Sequence, residues 1–186
     1  MNMNGDSNGI FVVNAGSDLF VRVVGRGTYQ NSQPLRQHGT EMLQHDCREF
    51  FIDLARCQGM DSTFLGVIAG FGLSLRRSRP DARLHILNAS ERNQQSLCSL
   101  GLDRLVQMDA PESTRPLPPE TDFQKLPGSD VSQPAKSLEK QAAAKLMLDA
   151  HEALCRADER NEAKFKDVKE TLHAKITSQG NPPKNN

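Results

Sequence analysis

The chain has 186 residues, with 23 basic and 23 acidic side chains, so its formal charge at neutral pH is zero. Duplex-binding modules usually carry a basic excess, and this balance therefore argues against a DNA- or RNA-duplex-binding protein. Hydrophobic residues make up 37% of the chain, a lower share than a compact domain of this length usually has, so part of the chain is expected to lie outside a hydrophobic core. The absence of Trp disfavours an aromatic platform that binds single-stranded nucleic acid.

The first nine residues, MNMNGDSNG, have neither the basic start nor the apolar stretch of a signal peptide. The longest apolar run, at 64–75, is too short to span a bilayer. The cysteines, at positions 47, 57, 98 and 155, form no C-x-x-C pair and are typical of small buried side chains in a reducing compartment. We therefore expect a cytoplasmic protein.

Residues 9–109 alternate between strand-like and helix-like segments. Period-two and continuous apolar runs predict strands, and apolar spacings of three and four predict helices. In chain order these are strands at 10–14 and 18–25, a helix at 32–45 with Ser32 as N-cap, a strand at 47–54, a helix at 62–77, a strand at 84–87, a helix at 91–100 and a strand at 104–108. This order predicts an α/β fold with a mainly parallel or mixed β-sheet and helices packed on it.

The composition changes after residue 110. Six prolines in 111–136 predict an extended, semi-rigid linker, because proline removes backbone donors and forbids a regular helix. Residues 137–177 contain neither Pro nor Gly and predict a long amphipathic helix, or two helices joined near 158–162. The expected organisation is a domain at 9–110, the linker, this helical extension, and disordered tails at 1–8 and 178–186.

An apolar stripe runs along the helical extension, from Ala143 to Ile176, with Asn161 at its centre. The stripe is compatible with a helix that folds back onto its own domain. It is equally compatible with a two-stranded coiled coil in which Asn161 sets the register, and hence with a homodimer through residues 137–177.

The junction at residues 50–66 has the clearest functional pattern. A buried strand leads into the sequence Asp61-Ser62-Thr63, where a helix begins. Such a helix start brings a hydroxyl together with free backbone N–H groups, which form a favourable site for a phosphate. The alternative is that Asp61 or Ser62 is only a helix cap.

These residues resemble the STAS domain of anti-sigma-factor antagonists. In that family a strand ending in V-x-D-L is followed by a D-S-[ST]-G-L-G motif at the start of the second helix. The resemblance covers about residues 9–109, and the matching positions here are Ile52, Asp53, Leu54, Asp61, Ser62, Thr63, Leu65 and Gly66.

The resemblance implies a partner switch. The unmodified antagonist binds an anti-sigma factor, a serine kinase of the histidine-kinase-like ATPase fold, and phosphorylation of the motif serine breaks the contact, with a phosphatase restoring it. Carried over to this chain, Ser62 is the acceptor and Thr63 the second choice. The partner-binding residues that the resemblance implies are Asp61, Ser62, Thr63, Phe64, Leu65, Gly66 and Thr28.

The chain departs from the family pattern at two positions. Phe64 replaces the usual motif glycine, and Thr28 stands where members usually have an acidic residue. Phe64 and Leu65 are interpreted either as core or as an exposed docking patch. Gly66, together with the two later glycines of this helix, is expected to allow close packing against the sheet.

We expect no enzyme, cofactor or metal site. The five histidines are scattered without a metal-binding motif, and no local base accompanies Ser62. Two further interpretations remain open: a STAS accessory subunit of a membrane transport ATPase, and a signalling scaffold that is not phosphorylated.

Overall fold

The computed structural model describes residues 8–45, 47–79, 81–108, 116–130 and 140–178. Its strands are β1 (Gly9–Ala15), β2 (Asp18–Gly27), β3 (Glu49–Asp53), β4 (Cys57–Met60), β5 (Arg83–Leu87), β6 (Gln107–Met108) and β7 (Gln124–Lys125). Its α-helices are α1 (Tyr29–Gln44), α2 (Ser62–Ser78), α3 (Glu91–Ser99), α4 (Lys140–Ala157) and α5 (Asn161–Ser178). Single 3₁₀ turns lie at Leu102–Arg104 and Glu120–Asp122.

The strands form a mixed sheet in the order β6-β5-β3-β2-β1-β7, with β4 paired to the end of β2. β1 and β2 form an antiparallel hairpin, whereas β2, β3, β5 and β6 run parallel to one another. The parallel connections run through helices, as crossovers between parallel strands require. The predicted α/β class, with helices packed on a mainly parallel or mixed sheet and a C-terminal helical extension, is confirmed.

The strand β3 is buried on both faces, as its continuous apolar sequence predicts. Phe50 and Ile52 lie in the main core, which the sheet forms with the helices. Phe51 points to the opposite face and stacks on Phe20, with 4.7 Å between the ring centroids. This second face is covered in part by Leu117 and Phe123, from the proline-rich segment.

The proline-rich segment is therefore more than the extended linker predicted for 111–136. Within its described part, β7 pairs antiparallel with β1 at Phe11 and Val12. The buried guanidinium of Arg22 bonds Asp53 at 2.9 Å and Glu120 at 2.6 Å, and lies 4.1 Å above the Phe123 ring. Prolines prevent a helix here, but apolar side chains between them still gain free energy by covering the sheet. The rest of the predicted linker, and both predicted tails except residues 8 and 178, lie outside the described residues.

The first helix begins earlier than predicted. Its N-cap is Thr28, four residues before Ser32, the predicted cap. The Asn31 side chain accepts the backbone N–H of Thr28 at 2.8 Å, and the buried hydroxyl of Ser32 donates to the Thr28 carbonyl. The cap residue was therefore misassigned, because Ser32 bonds back to the preceding turn from inside the helix instead of starting it.

The extension at 137–177 is two helices rather than one, and residues 137–139 lie outside the described part. The break falls at Asp158, whose carboxylate accepts both the backbone N–H and the guanidinium of Arg160 at 3.0 Å. The Asn161 amide then donates to the carbonyls of Leu154 and Leu100. These side-chain bonds satisfy the backbone at the turn and fix the joint between α4 and α5.

The helix pair folds back onto the domain, which was one of the two interpretations of the apolar stripe. Leu146 and Leu154 of α4 are in the main core, and Leu172 of α5 packs with Ala144 and Leu148 of α4. The helical hairpin α4–α5 therefore buries most of the stripe within the chain, whereas Val168 stays exposed. Asn161, which the coiled-coil interpretation gave a register role, is 1% exposed and holds the hairpin joint instead.

Candidate functional site at the start of helix α2

The start of α2 is organised by one carboxylate. Asp61 is the N-cap residue, and its Oδ1 accepts the backbone N–H of Phe64 at 2.8 Å. Its Oδ2 accepts the backbone N–H of Tyr29, the first residue of α1, also at 2.8 Å. Asp61 thus satisfies donors at the ends of two helices, in a position that favours negative charge.

Because Asp61 is the cap, Ser62 is the first residue of α2 and its hydroxyl is not used for capping. The hydroxyl instead lies 3.0 Å from Nε2 of His151, in α4. Nδ1 of the same ring is 2.7 Å from the carbonyl of Met147. A carbonyl can only accept, so Nδ1 carries a proton, and in the neutral ring Nε2 accepts the proton of Ser62.

The folded chain places a histidine beside Ser62, although none is near it in the sequence. His151 is 89 residues away in the chain, and the fold-back of α4 brings it to the site. It is 4% exposed, and its ring lies 4.8 Å from that of Phe165 in α5. In the sequence, His151 is noticeable only as a polar residue among the apolar residues of the helical extension, and this position does not reveal its partner.

Most of the predicted partner-binding residues are buried. Thr63 is 5% exposed, Phe64 0% and Leu65 4%. Gly66 is buried as well, whereas Asp61, Ser62 and Thr28 are partly accessible. The interpretation of Phe64 and Leu65 as an exposed docking patch is thus wrong in this structure, and their interpretation as core is right.

Phe64 takes its buried position because β2 has a glycine opposite it. A Cβ on Gly27 would lie 2.7 Å from the Phe64 ring, so only glycine leaves room for the aromatic side chain. The bulky residue at the motif's usual glycine position is therefore accommodated by the core and does not project toward a partner.

The three glycines of α2 face different parts of the molecule. Gly66 faces the backbone of Ala150 in α4, and a Cβ there would overlap with the Ala150 carbonyl. Gly72 faces Leu105, and a Cβ on Gly70 would have nothing within 4 Å. The prediction of close packing is thus met at Gly66, but against α4 rather than against the sheet.

The cysteines show no sign of a reactive site. Cys47, Cys57 and Cys155 are buried, and Cys98 is exposed. Burial raises the pKa of the Cys47 thiol to about 11 and also raises the pKa of Cys57 and Cys155. The raised pKa values keep these thiols protonated and unreactive at neutral pH.

Within the described ranges, no group of three His, Cys, Asp or Glu side chains is arranged to hold a metal ion. No helix in the same ranges is both long and apolar enough to cross a membrane.

No protein-family model and no curated protein sequence matches the chain. Among solved structures, the chain is similar to the Bacillus cell fate determinant SpoIIAA in its phosphorylated form. The two align at 18% identity with a TM-score of 0.45, and the alignment covers 55% of this chain and 93% of that one. A putative anti-sigma factor antagonist from Thermotoga maritima aligns at 19% identity, over 53% and 85% of the two chains, with a TM-score of 0.48. An antagonist from Mycobacterium paratuberculosis aligns at 16% identity, over 56% and 86%, with a TM-score of 0.47.

The fold of residues 9–108 is STAS-like, as the sequence predicted. This similarity of fold follows from the order of the helices and strands and from the pairing of the strands in the sheet. Within this region the predicted order lacked the short strand β4 and the 3₁₀ turn at Leu102–Arg104.

Proposed function

We propose that the protein is a cytoplasmic anti-sigma-factor antagonist that acts by partner switching. Unmodified, it binds an anti-sigma factor that is a serine kinase of the histidine-kinase-like ATPase fold. Phosphorylation of Ser62 by that kinase ends the complex, and a phosphatase restores it. The protein acts as a regulatory binding protein.

The observation that carries the proposal is the position of the Ser62 hydroxyl. It stands on the first residue of α2, and Asp61 performs the capping that would otherwise occupy it. A phosphate on Ser62 would lie at the positive end of the helix dipole, near the backbone donors of the first turn. It would add about −1.5 to −2 charges to this surface, enough to disrupt a partner packed against it.

The same geometry separates the two candidate acceptors. Ser62 is partly accessible, whereas Thr63 is 5% exposed and turned into the domain. A kinase must reach the acceptor hydroxyl, so the proposal places the phosphate on Ser62 alone.

The test is phosphopeptide mass spectrometry of the protein isolated from its own cells, combined with affinity capture by wild type and by Ser62→Asp. We expect phosphate on Ser62, and capture of a small histidine-kinase-like ATPase by wild type that Ser62→Asp loses. Ser62→Ala is the control, since it removes the acceptor without adding charge and should retain the partner. Phosphate on another residue, or equal capture of the ATPase by wild type and Ser62→Asp, would contradict the proposal.

A second candidate is a STAS protein in which Ser62 makes a contact and is not phosphorylated. The bond between Ser62 and His151 favours it, because the hydroxyl already has a partner in this structure. The protein would then serve as an accessory subunit of a transport ATPase or as a signalling scaffold. Capture of transporter subunits by both wild type and Ser62→Asp would support this candidate over the first.

A further inference from the structure

Helix α4 covers the surface that the proposed partner would need. Its Ala150 lies against Gly66, and its His151 holds the Ser62 hydroxyl. At the side of the contact, Asp149 of α4 pairs with Arg36 of α1 at 2.8 Å. The first two turns of α2 therefore already bind a helix, and that helix belongs to the same chain.

The covered surface cannot hold α4 and another molecule together. The distance of 3.0 Å between Ser62 Oγ and His151 Nε2 leaves no space for a phosphoryl group or a partner side chain. His151 is nearly fully buried, so making space requires α4 to move. At Gly66 the two helix backbones are already in contact, and this tight packing prevents α4 from adjusting by a small shift.

The packing of α4 on α2 is nevertheless incomplete. Beside the contact at Gly66, a cleft of about 630 Å³ lies between α1, α2 and α4, and Gly70 faces open space. The Arg36–Asp149 pair is more than one third exposed on both sides, so solvent screens it and it adds little to the docking. A helix with a larger side chain at this position would fill the space that α4 leaves open beside Gly70.

We infer that this α2 surface is a helix-binding site, that α4 is its internal occupant, and that the external partner competes with α4 by presenting a helix of similar chemistry. The inference rests on the proposed function for the existence of that partner. The partner helix has a small residue opposite Gly66, a hydrogen-bond acceptor opposite Ser62 and an acidic residue near Arg36. Partner binding then requires the hairpin to leave.

Two substitutions should release α4 in different ways. Ala150→Leu enlarges α4 where it meets Gly66, and Gly66→Leu fills the same contact from α2. We expect either change to accelerate backbone hydrogen exchange in α4 by about tenfold or more, since overpacking of this kind is strongly unfavourable. Exchange in β3 should stay slow in both variants, which shows that the domain remains folded. Ala142→Leu is the matched control, because Ala142 is an exposed residue of the same helix.

The binding site is then probed with a fluorescent peptide of residues 140–157, titrated to about 1 mM, the effective concentration typical of a tethered segment. Ala150→Leu should bind this peptide, because its own α4 is displaced and its α2 surface is intact. Wild type and Ala142→Leu should not bind it, because the site is occupied. Gly66→Leu should also fail, because its site is filled, and a peptide that itself carries Ala150→Leu should bind none of the proteins.

Unchanged exchange of α4 in both leucine variants would overturn the inference, as would failure of Ala150→Leu to bind the peptide. Equal binding by Ala150→Leu and Gly66→Leu would overturn it too, since the peptide would then be bound elsewhere. No kinase or sigma factor takes part in these measurements. Failure of the proposed partner switch would therefore leave their outcome unchanged: it would remove the external competitor, whereas failure of these measurements would remove the helix-binding site itself.

Discussion

Asp158 determines how the two C-terminal helices join. Its carboxylate accepts the guanidinium and the backbone N–H of Arg160, while Arg104 of the domain lies 3.9 Å from the same group. The hydrogen bonds from Arg160, above all, lower the pKa of Asp158 well below its ordinary value of 3.8. A single ionised side chain therefore connects the hairpin turn with the domain surface.

This lowered pKa makes the hairpin sensitive to acid. The contribution of Asp158 to stability is fully present above its ordinary pKa and is lost as the pH falls below 3.8 toward the lowered value. We expect hydrogen exchange in α5 to accelerate as the pH falls through this range, after correction for intrinsic exchange rates. In Asp158→Asn, which cannot ionise, this part of the pH dependence should be absent. An identical pH profile for the variant and wild type would contradict the assignment.

At the scale of elements, the position of α2 depends on how closely it approaches β2. Phe64 is fully buried and lies against Gly27, where β2 has no side chain. The ring cannot move away without disturbing the core around it, because protein interiors are closely packed. The distance between this helix and the sheet is thus set by one glycine–phenylalanine pair.

Alanine substitutions at Gly27, which faces the Phe64 ring, and at Gly70, which faces open space, should therefore change stability in opposite directions. Gly27→Ala places a methyl group against the Phe64 ring and should lower the free energy of unfolding by about 1–3 kcal/mol. Gly70→Ala adds the same methyl group in open space within a helix and should raise it by about 0.5–1 kcal/mol. Urea denaturation measures both changes, and a loss of stability in Gly70→Ala equal to that in Gly27→Ala would refute the explanation.

The elements that the sequence predicts well are those with a repeating apolar pattern. The strands β2 and β3 and helix α2 were predicted to within about two residues, because burial on one or both faces leaves a recognisable apolar pattern in the sequence. β4 and β7 have four and two residues, too few for a period to be visible. Their pairing depends on neighbours distant in the chain, which local patterns do not specify.

The residues of the candidate site were likewise predictable only where local sequence determines their role. The Asp61–Ser62 helix start was predictable because capping is a local property of the chain. The role of His151 was not, because it depends on where a separate helix docks. The burial of Phe64 likewise required Gly27, whose position opposite the ring follows from the sheet register and not from the motif.

For the whole molecule, burial of most of the apolar stripe between α4, α5 and the domain predicts a monomer. Leu172 is 6% exposed and packs on α4, whereas Val168, on the same helix, is 41% exposed. We expect Leu172→Lys to weaken the docking of α5 by about 2 kcal/mol or more, since a large buried side chain is lost, while Val168→Lys has little effect. Hydrogen exchange in α5 measures the docking.

Light scattering measures the mass of the same proteins. Wild type and both variants should show the 20.6 kDa of one chain. A wild-type dimer that Leu172→Lys converts into a monomer would contradict this prediction and support the homodimer through residues 137–177.

The order of the strands has one more consequence for the molecule. In the part of the chain that the structure describes, the two ends of the sheet, β6 and β7, have two residues each. An exposed long edge strand is a template on which another chain can add a strand, and a short one offers few backbone groups for such pairing. By pairing with β1 at Phe11 and Val12, the proline-rich segment occupies backbone groups in the middle of this strand that another chain would otherwise pair with.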